Sequence, residues 1–134
     1  MSRTAMRNAA KHPRLSGFTP GVVALIIERD RGRCARCGQP VRLDDRGVSW
    51  SIHHRAPRGA GGSRVDWVNA AGNGVILCGS GTTGCHGWVE AHRAEARDTG
   101  WLVSRIGRDR STDIPVSHAV HGFVRLLDDG GVTA

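Results

Sequence analysis

Apolar residues recur along residues 21–31 with the spacing of a helix that buries one face. Thr19 and Pro20 stand directly before this segment. Threonine caps the N–H groups of a first helical turn, and proline fits the first helical position because that position needs no N–H donor. Residues 85–97 are predicted to form a second helix.

Shorter apolar segments predict strands. Residues 48–55 alternate between apolar and polar side chains, and residues 75–77 form a short apolar run. Two more short strands are expected at residues 100–103 and 122–127, around a polar turn region. Helices and strands together predict an α+β fold.

The remaining stretches predict how the chain is organised. Residues 1–18 are typical of a flexible basic arm, because basic residues are scattered among small ones. These basic residues are Arg3, Arg7, Lys11 and Arg14. Residues 19–134 are long enough for a single domain with a modest core. Residues 56–72 form a loop longer than a simple connection needs, so we expect it to be functional.

The composition predicts a thin core. Aromatic residues make up 4% of the chain, tyrosine is absent, and 19 residues are glycine. A chain with so little bulky apolar material often needs a staple such as a structural metal. The sequence has neither the roughly 18 apolar residues of a membrane span nor a signal-peptide pattern. We therefore expect a cytoplasmic protein with no membrane partner. In the cytoplasm, cysteines serve as metal ligands more often than they form disulfides.

The charge predicts a polyanionic partner. Lys and Arg number 19 against 12 Asp and Glu, a formal charge of +7, and Lys11 is the one lysine. The planar arginine fork matches phosphate geometry, which favours a nucleic acid over a membrane. The alternative is a solvated basic surface with no partner.

The four cysteines have the spacing of a zinc site. Two residues separate Cys34 from Cys37, which lets both thiolates reach one tetrahedral ion. Six small residues separate Cys78 from Cys85 and can fold out as a loop. Four thiolates would close the coordination sphere, so the predicted zinc ion is structural and not catalytic. The ligands of this site span residues 34–85. The alternatives are four unrelated buried thiols or a redox pair at Cys34 and Cys37.

Three histidines and a glutamate predict a second site. His53 and His54 are adjacent on a predicted strand, so their side chains point to opposite faces. His86 lies near the start of the second helix and Glu90 follows one turn later on the same face, whereas His92 is rotated by roughly 120°. His53, His86 and Glu90 therefore form a three-ligand set with open positions, and His54 is placed to take a proton from water.

The alternative for a histidine is a partly buried polar role. We expect that role for His12, His118 and His121. A partly buried polar role is less favoured for His53, His54 and His86, because of where they stand relative to the four cysteines.

Separate motifs follow one another along about residues 30–129. They are Cys34-x-x-Cys37, His53-His54-Arg55-x-Pro57-Arg58-Gly59-x-Gly61-Gly62, Asn73, Val75-Ile-Leu-Cys78, Cys85-His86-Gly-Trp-Val89, Gly100-Trp-Leu-Val103 and Val124-Arg-Leu-Leu-Asp-Asp129. In this order, the motifs resemble those of the HNH endonucleases, of the small phage and prophage type.

The resemblance implies a ββα-metal fold, in which a helix packs across a two-stranded hairpin and a metal lies between them. That core would span about residues 48–97, followed by a C-terminal β extension at about 100–129. The resemblance also implies that His54 is the general base and that His53 and His86 are metal ligands. Asn73 would brace the 56–72 loop through backbone hydrogen bonds and so help to orient His54.

Residue 90 departs from the pattern, because the family usually has His or Asn where this chain has Glu90. A carboxylate favours Mg²⁺ or Mn²⁺ over the Zn²⁺ or Ni²⁺ that suit imidazole ligands. The third ligand and the physiological metal therefore stay open.

The resemblance implies a metal-dependent hydrolase of DNA phosphodiester bonds with weak sequence specificity. Four arginines would contact the DNA backbone: Arg55, Arg58, Arg64 and Arg93. It further implies phage DNA packaging, with the terminase large subunit and the portal as partners. The alternatives are a zinc-stabilised DNA-binding adaptor without catalysis and a restriction-type nuclease.

Overall fold

A computed structural model describes residues 17–57, 66–104 and 109–134. These residues form the mixed α+β fold that the sequence predicts. The helices are α1 (Pro20–Asp30), α2 (Gly84–Ala91) and α3 (Arg93–Asp98). The strands are β1 (Trp50–His54), β2 (Gly74–Cys78), β3 (Val116–His118), β4 (Gly122–Leu126) and β5 (Val132–Thr133). In the described parts of the chain, no helix is long and apolar enough to cross a membrane.

Helix α1 begins as its sequence predicts and ends at Asp30, one residue earlier than expected. The Thr19 side chain accepts a hydrogen bond from the Val22 N–H, and Pro20 opens the first turn. At the other end Arg31 adopts a left-handed conformation with φ 58°, and its N–H returns to the carbonyl of Glu28. Both ends of the helix are thus capped locally.

Strands β1 and β2 form an antiparallel hairpin, with Trp50 opposite Cys78 and His54 opposite Gly74. The hairpin separates two apolar clusters. Ile52 and Ile76 pack on one side, in the cluster that includes Ile26 of α1. Val75 and Leu77 pack on the other side, with Val89 of α2. Because strand side chains alternate, neighbouring residues of the hairpin serve different clusters.

A buried ion cluster connects α1 to β2 and β3. The Asp30 carboxylate accepts hydrogen bonds from the Ile76 N–H at 2.9 Å, from His118 Nε2 at 2.7 Å and from Arg29 Nε at 2.8 Å. Arg29 also donates to the Ala71 carbonyl at 2.8 Å. Buried charges are tolerated when they are paired and hydrogen-bonded in this way.

Arg55 cross-links the chain and is fully buried. Its guanidinium donates to four backbone carbonyls, at 2.6–3.0 Å. These carbonyls belong to Gly72, Gly100, Ser111 and Ile114. The prediction that Arg55 contacts DNA is therefore wrong, because the side chain is buried and four of its five N–H donors are used inside the protein.

Several element boundaries differ from the sequence prediction. The strand expected at 48–55 begins at Trp50, after a turn in which Gly47 has φ 93°. The helix expected at 85–97 breaks at His92, whose φ −124° and ψ 58° are not helical. Residues 100–103 are buried but form no strand, and β3 was not anticipated. A short apolar run predicts burial more securely than it predicts strand pairing.

Two predicted segments fall partly outside the described residues. Of the predicted arm at 1–18, residues 1–16 lie outside, whereas Phe18 packs against the cluster around Ile26 and so does not belong to an arm. Of the predicted loop at 56–72, residues 58–65 lie outside, including Arg58 and Arg64.

Asp30→Asn is expected to destabilise the fold by about 3–5 kcal/mol at neutral pH, because it leaves the buried Arg29 without its charge partner. Burial raises the pKa of Asp30, but the hydrogen bond from His118 and the charge of Arg29 outweigh burial and hold this pKa below 3.8. The stabilisation that the ionised Asp30 carboxylate provides is therefore complete above about pH 4. It is lost as the pH falls through the pKa of Asp30 in the folded protein.

Denaturant unfolding from about pH 7 to pH 3 measures the effect. The stability difference between the wild type and Asp30→Asn should shrink at the acid end. Asp44→Asn is the control, since the Asp44 side chain is 80% exposed. A difference that stays constant with pH would contradict the assignment of the charge to Asp30.

Candidate functional site

The four cysteines lie together as a group. Their sulfur atoms are all within 4.8 Å of one another, with Cys37 Sγ and Cys78 Sγ 3.9 Å apart. Cys34 and Cys37 lie on the turn after α1, Cys78 ends β2, and Cys85 lies in the first turn of α2. Four thiols in a compact group suit one tetrahedral zinc ion, as the spacing of the cysteines predicts.

Hydrogen bonds support these sulfurs. The Cys37 N–H donates to Cys34 Sγ at 3.5 Å, and the Cys85 N–H donates to Cys78 Sγ at 3.4 Å. Arg36 Nη1 donates to Cys85 Sγ at 3.4 Å. Such donors compensate the negative charge that thiolates carry when they hold a metal. Burial raises the pKa of the Cys85 thiol to about 12, so metal binding there must displace a proton.

Arg36 also joins the cysteine group to α2. Its guanidinium carbon lies 3.9 Å from the Trp88 ring centroid and 5.4 Å from that of Trp101. Such cation–π contacts stabilise a partly desolvated arginine. The sequence gives no signal for this arrangement, because the three residues are distant along the chain.

The second predicted group also comes together. His53 of β1 and His86 and Glu90 of α2 offer ligand atoms that all lie within 4.8 Å of one another. The two imidazole rings are 5.2 Å apart, edge to face. His86 and Glu90 meet because residues four apart share one face of a helix.

His53 is held in one tautomer. It is 4% exposed, and its Nε2 lies 2.8 Å from the Trp101 carbonyl oxygen. A carbonyl can only accept, so Nε2 carries the proton and the lone pair remains on Nδ1. Burial lowers the pKa of His53 to about 3, against the raising effect of that hydrogen bond. The ring is therefore neutral at physiological pH, the form that binds metals.

His86 is oriented by Ser51, which the sequence analysis missed. Ser51 Oγ lies 2.8 Å from His86 Nδ1, and His86 Nε2 lies 3.9 Å from Glu90 Oε2. Burial lowers the pKa of His86 while Glu90 raises it, and the net shift is downward. Ser51 shares a strand face with His53, two residues away, so strand alternation could have suggested it.

Glu90 and His92 have different surroundings. Glu90 Oε1 accepts a hydrogen bond from Arg93 Nη1 at 2.9 Å, and Oε2 faces His86. His92 instead stacks on the Trp88 ring, with 4.5 Å between centroids, and its Nδ1 lies 2.9 Å from the Trp88 carbonyl oxygen. The geometry therefore groups Glu90, and not His92, with the two histidines.

His54 lies on the opposite face of β1 from His53. Its Nε2 lies 2.7 Å from Asn69 Oδ1, and its ring stacks on Phe18 with 4.1 Å between centroids. Neither Phe18 nor Asn69 was anticipated from the sequence, because both contacts form only when the 56–72 loop and the start of α1 meet the strand.

Asn73 makes the backbone contacts expected of it. Its Nδ2 donates to the Ala56 carbonyl at 3.0 Å and to the Val68 carbonyl at 2.7 Å. Its Oδ1 accepts from the Ala56 N–H at 2.8 Å and from the Ser111 hydroxyl. One buried amide thus fastens residues on both sides of the loop whose ends flank His54.

The environments of His53 and His54 open into one cleft of about 310 Å³. Its lining residues are Ile52, His53, His54, Pro57, His86, Glu90 and Arg93. Of the four arginines predicted to contact DNA, Arg93 lines this cleft with its side chain 43% exposed.

Comparison with known protein families, with curated proteins and with solved structures finds no match to this chain.

Cys37→Ser is expected to weaken zinc binding by at least the ~10–100-fold that follows loss of a supporting hydrogen bond at a metal site. It should also lower the melting temperature, because the binding free energy of a structural zinc ion contributes to folding. Metal analysis of the purified protein and thermal melts with and without chelator measure both effects.

Ser80→Ala, in the loop between Cys78 and Cys85, is the control and should keep the zinc. Wild-type protein that carries no zinc, and that melts identically with chelator, would contradict a four-cysteine zinc site.

Proposed function

We propose that this protein is a metal-dependent endonuclease of the HNH type, which hydrolyses phosphodiester bonds of DNA. The observation that carries the proposal is the convergence of His53, His86 and Glu90 on a cleft that His54 also lines. Three potential ligands beside a separate imidazole are the parts that metal-assisted hydrolysis requires. The packing of α2 against the β1–β2 hairpin supports a ββα-metal core.

The three clustered residues fit a divalent ion. His53 presents Nδ1, since Nε2 is bound to the Trp101 carbonyl, and His86 presents Nε2, since Nδ1 is bound to Ser51. Glu90 adds a carboxylate oxygen. Such an ion would stabilise the negative charge that develops on the phosphate and the leaving oxygen. The carboxylate favours Mg²⁺ or Mn²⁺, although the imidazoles also suit Zn²⁺ or Ni²⁺.

His54 acts as the general base in this proposal. It lines the cleft, and a neutral imidazole has a lone pair that can accept a proton from water. Asn73 fixes the backbone at Ala56 and Val68, and thereby the loop that bears on His54. His54 removes a proton from a water molecule while that water attacks the phosphate in line with the leaving oxygen.

The substrate class follows from charge. The chain carries a formal charge of +7, and Arg93 borders the cleft. Arginines bind phosphate through paired hydrogen bonds, and contacts to the backbone carry no sequence information. We therefore propose DNA bound through its phosphates with weak sequence specificity. One cleft cuts one strand, so a double-strand break needs two visits or two copies.

The biological setting is proposed from the sequence resemblance alone. Small phage-type HNH proteins imply DNA packaging, with the terminase large subunit and the portal as partners and the cytoplasm of the infected cell as the location. A restriction-type nuclease and a zinc-stabilised DNA-binding adaptor are the other roles that this chemistry allows.

His54→Ala is expected to lower the cleavage rate about 10²–10⁴-fold, the usual contribution of a general base. Supercoiled plasmid incubated with Mg²⁺ or Mn²⁺ should be converted by the wild type to nicked and linear forms, and excess chelator should stop the conversion. His92→Ala is the matched control, because His92 stacks on Trp88 outside the ligand group.

Plasmid that is bound in a gel shift but left intact by the wild type, with Mg²⁺, Mn²⁺, Zn²⁺ and Ni²⁺ in turn, would overturn the nuclease proposal. That result would favour the adaptor.

Glu90→His is expected to move the metal preference from Mg²⁺ and Mn²⁺ toward Zn²⁺ and Ni²⁺, because imidazole is a softer ligand than carboxylate. Calorimetric titration with each metal, alongside plasmid cleavage, measures the change. Glu95→Gln on α3 is the control, since Glu95 is exposed and outside the ligand group. An unchanged order of metals would mean that Glu90 is not a ligand.

A further inference from the structure

We propose that Phe18 and Asn69 are positioning residues for His54, one fixing the plane of its ring and the other fixing its tautomer. The inference rests on the proposed function in so far as His54 is the general base. Neither residue belongs to the three-residue ligand group or to the cysteine group.

Phe18 controls the plane of the imidazole. The two rings are 4.1 Å apart between centroids and inclined by only 15°, so they lie face to face. Phe18 directly precedes Thr19, the cap of α1, and packs against the cluster that contains Ile26 and Ile52. Because Phe18 is itself held by this packing, the stacked imidazole cannot turn its plane without colliding with the phenyl ring.

Gly74 provides the space for this stacking. It is the register partner of His54 on the neighbouring strand. A Cβ at this position would lie 2.9 Å from Phe18 Cζ and 2.6 Å from Ile26 Cδ1. The backbone of Gly74 is ordinary extended chain with φ −118°, so a glycine is needed here for room and not for conformation. The hairpin is therefore shaped to admit a ring over His54.

Asn69 controls the tautomer. Its Oδ1 lies 2.7 Å from His54 Nε2, and an amide oxygen can only accept. The proton of a neutral His54 therefore lies on Nε2, and its ring lone pair lies on Nδ1. Asn69 is 7% exposed, and within the described residues its Nδ2 has no hydrogen-bond partner. A buried amide that leaves one of its groups unpaired is poor for stability, which favours a role in orienting His54.

Phe18→Leu is the informative variant, because leucine keeps the apolar packing but has no flat ring. We expect kcat for plasmid nicking to fall about 10–100-fold, the scale known for small misplacement of a reacting group. KM and the melting temperature should change little. Phe18→Trp, which restores a flat ring, should recover most of the rate. Asn69→Ala should likewise lower kcat more than it raises KM.

NMR of the imidazole resonances tests positioning without relying on activity. The zinc-loaded protein with no second metal added is compared with its variants, and His54→Ala assigns the signals. Stacking on Phe18 shifts the His54 ring protons upfield, so Phe18→Leu should return them toward the values of an unstacked histidine. The ¹⁵N shifts should report the Nε2–H tautomer in the wild type and a mixture of tautomers in Asn69→Ala.

The outcomes separate the two proposals. An active wild type with unchanged kcat in both Phe18→Leu and Asn69→Ala would overturn the positioning roles while leaving the nuclease intact. A wild type that cuts no DNA would overturn the nuclease, and the NMR comparison would still decide whether the two residues hold the ring. Unchanged imidazole signals in both variants would overturn the inference in either case.

Discussion

The alternation of side chains along β1 is the constraint on which the candidate site depends. His53 and His54 are adjacent, so one must face α2 and the other must face α1. The face toward α2 supplies Ser51, His86 and Glu90, whereas the face toward α1 supplies Phe18. A slip of one residue in the hairpin register would exchange the two environments and dismantle both.

The cysteine group secures the second half of this arrangement. Cys85 and His86 are consecutive, so a metal that holds Cys85 against the other three thiols also sets where α2 presents its histidine. Apart from the cysteines, α2 is held by Val89 in the buried cluster and by the edge-to-face contact of Trp88 with Trp101. Arg36 adds to the same connection, because it touches both Cys85 and Trp88.

Local patterns predicted much of the molecule, and long-range contacts account for what they missed. The N-terminal cap of α1, the two hairpin strands and the grouping of the four cysteines follow from neighbouring residues and their spacing. Arg55 does not, because a buried arginine and a DNA-binding arginine look alike in a sequence, and only the carbonyls around it distinguish them. Phe18 and Asn69 were missed for a related reason, since their partner His54 lies 36 and 15 residues away.

One contact at the site does not depend on the side chain of the residue that makes it. His53 is fixed by the main-chain oxygen of Trp101, which any amino acid at that position would supply. The indole of Trp101 faces Trp88 and Arg36 instead. Sequence drift at position 101 can therefore alter the packing beside the cysteines and still preserve the proton arrangement of His53. The backbone gives this histidine a tolerance to mutation that His86, which relies on the Ser51 hydroxyl, does not have.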